Sequence, residues 1–199
     1  MKSGYNGAVN SAREKLKNLT PEKVCGLCGV KFDGEKYLIK WLSGEREICL
    51  DTDIQPGYSK TLEIILLHYL ISEGTKRPEG KLISYREVPG ALFYEPKFIQ
   101  RTVAPLVKCF GGNPGALVET GKIFGGVEVN NKAGYAVKID LLPYLPVTYT
   151  VCGGDEEFEP SGTVLFDRTA PGWLNAEDLT VAASLGAYEL IAKYKSLYK

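Results

Sequence analysis

The chain has 199 residues, 44% of them hydrophobic and 24% charged, and its 24 basic and 24 acidic residues cancel. A neutral balance gives no long-range attraction to phosphate backbones or anionic membranes, so we expect neither nucleic acid nor membrane as a partner, but a small molecule or a partner protein. No apolar leader precedes the first charged segment, and the five cysteines are an odd number. These features predict a cytoplasmic protein with reduced thiols.

The first third is predicted to hold two helices and a β-meander. Apolar residues at helical spacing predict a helix over Asn6–Leu19. Thr20 then has the features of an N-cap before Pro21, and this second helix ends at Gly29. Three strand-like runs separated by turn residues follow, and residues 51–58 are predicted to be a loop. The runs are Val30–Phe32, Lys36–Leu42 and Glu45–Leu50.

The middle of the chain is predicted to be mainly helical. Leu62–Glu73 is apolar on nearly every side, which indicates a buried central helix. A short strand over Lys81–Tyr85 follows. Pro96–Phe110 has a helical pattern that Pro105 should kink or break, and a further helix covers Gly115–Phe124.

The last third returns to strands before a final helix. Alternating apolar residues predict strands over Tyr135–Leu141 and Val147–Cys152, and Thr163–Phe166 is a short apolar strand. Asn175 is the predicted N-cap of the final helix. Because helices and strands are clustered, we predict an α+β fold, with an antiparallel or mixed sheet packed around the central helix. Residues 1–199 should form a single domain, with a subdomain over 1–58 and a main body over 59–199 as an alternative.

The cysteine pair Cys25 and Cys28, followed by Gly29, is the most distinctive motif. A glycine after C-x-x-C lets the backbone turn so that both sulfurs face one point. A tetrahedral zinc or iron site needs four ligands, and the chain has no second pair. Cys49 and Cys152 are the candidates to complete a Zn or Fe–S site. The alternative, which we favour, is two half-buried thiols without a cofactor.

Other candidate site residues carry charge or hydrogen-bonding groups. His68 is the only histidine, so any Ser–His or Cys–His chemistry must use it; its other interpretation is a buried, hydrogen-bonded imidazole. Four acids occupy residues 155–159, a loop that could bind a cation, supply acid and base groups, or be solvated. Arg86 and Arg101 could bind an anion or pair with Glu87 or the acidic loop. The candidate ligand-binding residues are Tyr85, Arg86, Arg101, His68, Asp155 and Glu156.

Several short segments, in this order, resemble an uncharacterised family found mainly in anaerobic bacteria and archaea. Its members are described as a domain of unknown function, or loosely as iron–sulfur-binding proteins. The resemblance implies a link to anaerobic one-carbon or corrinoid metabolism, and implies no catalytic residue. This chain lacks the cysteine-rich module of some relatives and has Cys152 where an aromatic residue is expected. The segments are Leu66–Leu70, Ser84–Gly90, Gly125–Gly126, Leu142–Pro143 with Pro146, Gly154–Phe158, Leu165–Asp167 and Glu177–Asp178.

Three functions are therefore compared below. The favoured one is a non-catalytic module that binds a small ligand or serves as an accessory to a partner protein. The second is a Zn or Fe–S metalloprotein through Cys25 and Cys28. The third is a hydrolase or lyase that uses the acidic loop 155–159 with Arg86.

Overall fold

The fold is organised around one buried helix. In the computed structural model, which describes residues 2–50, 59–74, 76–130 and 134–198, helix α3 spans Lys60–Leu70 and follows the N-cap Ser59. Almost all side chains from Leu62 onward are buried, whereas His68 is partly exposed. The predicted central helix is confirmed, although it ends at Leu70 because Ile71 leaves the helical conformation.

The N-terminal part combines two helices with a small antiparallel sheet of order β1-β2-β3. The predicted Thr20 cap, Pro21 start and Gly29 end of α2 are confirmed. The tight turn before β3 uses Leu42 (φ +53°) and Ser43, because Trp41 pairs directly with Gly44. The loop predicted over 51–58 lies outside the described residues. The elements are α1 (Lys2–Lys17), α2 (Pro21–Cys28), β1 (Lys31–Phe32), β2 (Lys36–Trp41) and β3 (Gly44–Cys49).

The second sheet has five strands, all antiparallel, in the order β4-β8-β7-β6-β5. The strands predicted in the last third are confirmed, but β5 was not predicted. The strands are β4 (Leu82–Ser84), β5 (Val127–Val129), β6 (Tyr135–Leu142), β7 (Leu145–Cys152) and β8 (Ser161–Asp167).

The remaining helices follow the predicted segments. The predicted irregularity near Pro105 is a π-helical turn over Ile99–Val103, which places the ring of Pro105 in the first turn of α5. Short 3₁₀ turns cover Tyr85–Glu87, Ala91–Phe93 and Ala170–Gly172. The helices are α4 (Glu95–Phe98), α5 (Ala104–Phe110), α6 (Gly115–Ile123) and α7 (Ala176–Tyr198).

One hydrophobic core connects both sheets and the helices. Its buried members run from Val9 in α1 to Ile191 in α7. The Leu42 amide donates to the Leu141 carbonyl at 3.0 Å, which joins the turn of the small sheet to the large sheet. The α+β single domain is therefore confirmed, whereas the division at residue 58 stays a prediction. Among the described helices, none is both long and apolar enough to cross a bilayer.

Candidate functional site

The structure places the only histidine against a carboxylate. His68, near the end of α3, has its Nδ1 2.8 Å from Oδ2 of Asp178 in the first turn of α7. The His68 side chain is 29% exposed and that of Asp178 is 11% exposed. The residues are 110 positions apart in the chain, so the packing of α3 against α7 brings them together.

Asp178 is held in place by the N-cap of α7. The Asp178 amide donates to Oδ1 of Asn175 at 2.9 Å, and the Asn175 side-chain amide donates to Oδ2 of Asp178 at 2.9 Å. The first turn of a helix also favours a negative charge. Contacts within the N-cap of α7 therefore help to orient this carboxylate, in addition to its contact with α3.

The hydrogen bond to Asp178 decides which nitrogen of His68 carries the proton. A carboxylate oxygen accepts, so Nδ1 donates, and in the neutral imidazole Nε2 keeps its lone pair. Among the described residues, nothing is hydrogen-bonded to Nε2. It can accept a hydrogen bond or a proton from a ligand. No serine, threonine or cysteine of the described residues donates to it, so a Ser–His or Cys–His pair is not formed.

Tyr94 and Glu177 lie beside this pair. The Tyr94 hydroxyl donates to Oε2 of Glu177 at 3.2 Å. This hydrogen bond and the charge of Glu177 raise the pKa of Tyr94, and the charge of Asp178 adds a smaller contribution. We call His68, Tyr94, Asn175, Glu177 and Asp178 the α7 cap site. It is rich in acceptors, so it suits a ligand that presents N–H or O–H donors or a positive charge.

Tyr85, a predicted ligand-binding residue, anchors the segment that carries Tyr94. It is buried, and its hydroxyl donates to the Ala176 carbonyl at 2.8 Å and accepts from Thr180 Oγ1 at 2.6 Å. Its ring stacks on Phe98 at 4.0 Å. The hydroxyl therefore both donates and accepts within the protein. Through these contacts Tyr85 joins the segment before Tyr94 to the start of α7.

The two arginines that were predicted to bind an anion lie in different surroundings. Arg86 pairs through Nε with Glu95 and is 71% exposed; the hydrogen bond to that carboxylate raises the pKa of Arg86. Its expected partner Glu87 instead accepts from the amide and the hydroxyl of Ser84 in a capping box. Arg101 is exposed in the π-helical turn. The suggested pairing of Arg86 with Glu87 or the acidic loop was wrong.

The acidic loop is a turn organised by its first residue. Asp155 Oδ1 accepts from the amides of Glu157 and Phe158 at 2.9 and 2.8 Å, and these hydrogen bonds lower the pKa of Asp155. Glu156 is exposed. The contacts of Asp155 are therefore those of a turn-forming aspartate, and its proposed chemical role stays a prediction.

Cys28 is held as a thiol. It is fully buried, and its Sγ lies 3.5 Å from the Tyr69 carbonyl and 3.7 Å from the Leu70 carbonyl, both of which accept from S–H. Burial, with a smaller contribution from Cys25, raises the pKa of Cys28 to about 12. Burial also raises the pKa of Cys25. Without a bound metal, both thiols therefore keep their protons at neutral pH.

Position 29 favours glycine because of its backbone conformation and the close packing of Tyr144. Its φ is +66°, and a Cβ there would lie 2.3 Å from the hydroxyl of Tyr144. The Tyr144 ring has the Arg77 guanidinium 3.7 Å from its centroid, and the Trp173 ring lies 5.3 Å away. Tyr69 completes the cover: its hydroxyl donates to the Cys28 carbonyl at 2.9 Å and accepts from the Tyr144 amide at 3.2 Å.

The other candidate metal ligands do not complete a site with this pair. Tyr144, which packs on Gly29, immediately precedes β7, and Cys152 is the last residue of that strand. Eight strand residues span roughly 25 Å, so Cys152 lies far from Cys25 and Cys28. Cys49 ends β3, where its carbonyl accepts from Arg13. No three of the described His, Cys, Asp and Glu residues form a group able to hold a metal. A Zn or Fe–S site at the cysteine pair therefore stays a prediction.

The sequence singles out His68 but does not reveal its partner. Asn175 was predicted only as an N-cap, and neither Glu177 nor Asp178 was predicted to lie near His68. The useful signal was an N-cap followed by an acid three residues later, a pattern that fixes a carboxylate at a helix end. Tyr94 carries no such signal, because its contact with Glu177 depends on how the segment around Tyr85 packs.

Comparison with known families confirms a match to a domain of unknown function. The sequence matches a domain of unknown function, DUF3786, over residues 20–189. The chain belongs to this family. The family match covers the α7 cap site and the cysteine pair alike. No curated protein gives a significant match, and no solved structure does either.

Proposed function

We propose that this chain is a small-ligand-binding module, and that it recognises its ligand at the α7 cap site. The observation that carries the proposal is the His68–Asp178 pair, in which the carboxylate fixes the ring and leaves Nε2 for an external partner. A binding role is favoured over catalysis because no nucleophile of the described residues is placed next to that nitrogen.

The acceptors of the site define the ligand class. Nε2 of His68 offers a lone pair when the ring is neutral, and Glu177 offers a carboxylate that Tyr94 already orients. An amine, amide or hydroxyl donor of a small molecule can hydrogen-bond to either group, and a positive charge is also favoured by Glu177 and Asp178.

The test is a thermal-shift screen of amine- and amide-bearing metabolites against the wild type, His68→Gln and Asp178→Asn. We expect compounds that raise the wild-type melting temperature to lose most of that effect in both variants. Lys138→Gln, an exposed change on β6, is the control and should behave as the wild type. Equal shifts in all four proteins, or turnover of a bound compound, would count against the proposal.

The two alternatives stay predictions with their own tests. A Zn or Fe–S metalloprotein predicts about one metal ion per chain after anaerobic purification, lost in Cys28→Ala. A hydrolase or lyase using the acidic loop predicts activity that depends on Asp155, Glu156 and Arg86. The link to one-carbon or corrinoid metabolism, and an accessory role beside a partner protein, likewise await tests.

A further inference from the structure

An open groove of about 560 Å³ runs beside β4, at the edge of the five-stranded sheet. The apolar residues that line it are Leu82, Ile83, Pro89 and Pro171. Leu82 is 47% exposed, so its side chain is accessible from the groove. The volume is in the range of small-molecule sites, which are typically apolar with a few polar groups.

Two basic side chains, Lys81 and Arg168, line the groove. Among the described residues, the Lys81 ammonium makes no ion pair. Arg168 Nε lies 3.6 Å from Glu79, which is longer than a hydrogen bond, and its side chain is 53% exposed. Both cations therefore keep donors for an anion.

The acid that lines the groove is already engaged. Glu87 Oε2 accepts from the Ser84 amide at 2.7 Å and from the Ser84 hydroxyl at 2.8 Å. These hydrogen bonds lower the pKa of Glu87, and the bond from the Ser84 amide contributes most. Of the charged side chains that line the groove, two are basic and one is acidic, and Glu79, which is not part of the lining, is ion-paired with Arg168.

The backbone beside the groove is held by hydrogen bonds between β4 and β8. The Arg168 amide donates to the Lys81 carbonyl at 2.8 Å. Buried Asp167 accepts from the amides of Gly80 at 2.7 Å and of Thr169 at 3.0 Å, which ties the start of β4 to the end of β8. A site whose walls are fixed in this way needs little reorganisation when a ligand binds.

We propose that this groove binds an apolar carboxylate: a small molecule whose carboxylate meets Lys81 and Arg168 and whose hydrocarbon part covers Leu82 and Ile83. An added peptide strand is disfavoured. Strand residues alternate in direction, so after the bonded pair of Lys81 and Arg168 the backbone groups of Leu82 and Ser84 face outward, and Glu87 already occupies the Ser84 amide. Leu82 alone is too short an edge for a strand.

The probe is octanoate, with 1-octanol as its uncharged analogue, and binding is followed through amide shifts in ¹H–¹⁵N NMR spectra. We expect octanoate to shift the amides of Leu82, Ile83 and Arg168 in a saturable way, and 1-octanol to bind at least several-fold more weakly. Lys81→Gln combined with Arg168→Gln should weaken octanoate binding about tenfold, because two charge-assisted contacts are lost.

The control is Lys40→Gln combined with Lys138→Gln, which removes the same charge from exposed positions on β2 and β6. It should bind octanoate as the wild type does. His68→Gln should also leave octanoate binding unchanged, so failure here is distinguishable from failure at the α7 cap site. Absence of saturable shifts, shifts centred elsewhere, equal binding of 1-octanol, or equal weakening by the control would each overturn the proposal.

Discussion

His68 and Tyr69 are neighbours on α3, yet they belong to two regions of opposite character. Tyr69 is fully buried and covers the Cys25–Gly29 turn, where its hydroxyl has a donor and an acceptor inside the protein. His68 is 29% exposed, and within the described part of the chain only one of its two nitrogens has a partner. The cysteine turn is conspicuous in the sequence, and the histidine is not.

The difference between these regions is one of unused hydrogen-bonding capacity. In the cysteine turn, the thiol of Cys28 and the hydroxyl of Tyr69 find their partners in the protein, so the motif stabilises the fold. In the α7 cap site the carboxylate is oriented but the imidazole is incompletely satisfied. A motif with reactive side chains, such as the cysteine pair, can thus have a structural role. A single histidine can then be the better candidate for binding a ligand.

The largest expected effect concerns Gly29. We expect Gly29→Ala to lower the free energy of unfolding by about 2–4 kcal/mol, because the residue has positive φ and its new Cβ would meet Tyr144. Urea denaturation measures it. Gly26→Ala is the matched control: it lies within α2 with open space around it, so it should be neutral or stabilising. Equal effects of the two substitutions would show that the Tyr144 contact is unimportant.

The second prediction compares two buried tyrosines. Tyr69→Phe removes two hydrogen bonds and leaves the Cys28 carbonyl and the Tyr144 amide unpaired, so we expect a loss of about 1–3 kcal/mol. The buried Tyr37 hydroxyl has no hydrogen-bond partner among the described residues, so Tyr37→Phe should be neutral or stabilising. Denaturation of both variants tests this, and the reverse order would contradict it.

The third prediction is a dependence of stability on pH from Cys28. Burial raises the pKa of its thiol from 9.0 to about 12. Below pH 9 both the folded and unfolded states keep the proton; above it the unfolded state loses the proton first, so stability falls as the pH rises from 9 toward 12. The loss should reach about 1 kcal/mol by pH 10.

Denaturation from pH 7.5 to 10.5 checks this prediction, with Cys28→Ala as the control. The wild type should lose more stability than Cys28→Ala over this range, since the variant lacks the thiol while the buried tyrosines remain. Parallel pH profiles would indicate that Cys28 is not shielded from water in the folded protein.

The smallest expected effect is at His68. Its pair with Asp178 is partly exposed, and Asp178 keeps its bond from Asn175, so His68→Gln should cost about 1 kcal/mol or less. A long-range ¹H–¹⁵N spectrum should show the Nδ1–H tautomer for the neutral ring. A destabilisation as large as that of Gly29→Ala would indicate that the pair is a core element of the fold.

Much of the architecture was predictable because its causes are local. The caps Thr20 and Asn175, the αL stop at Gly29 and the apolar run of α3 depend on residues within a turn or two of each other. Strand β5 was not predicted. The predicted strands place the turn before β3 at Ser43 and Gly44. It lies one residue earlier, at Leu42 and Ser43, because Trp41 pairs with Gly44.

The candidate site was less predictable because its contacts join distant parts of the chain. Arg86 could have paired with the adjacent Glu87, but the capping box with Ser84 occupies Glu87 and leaves Glu95 as the partner. Cys152 appeared as available as Cys49 to complete a metal site until β7 separated it from the cysteine turn.

By itself the sequence determined the α+β class, the buried central helix and the local orientation of Asp178 by its cap, because these follow from residues close together in the chain. Only the tertiary structure decided that His68 meets Asp178, that Tyr144 covers Gly29, and that Lys81 and Arg168 line one groove. Those contacts depend on how whole helices and strands pack, and no local pattern records that packing.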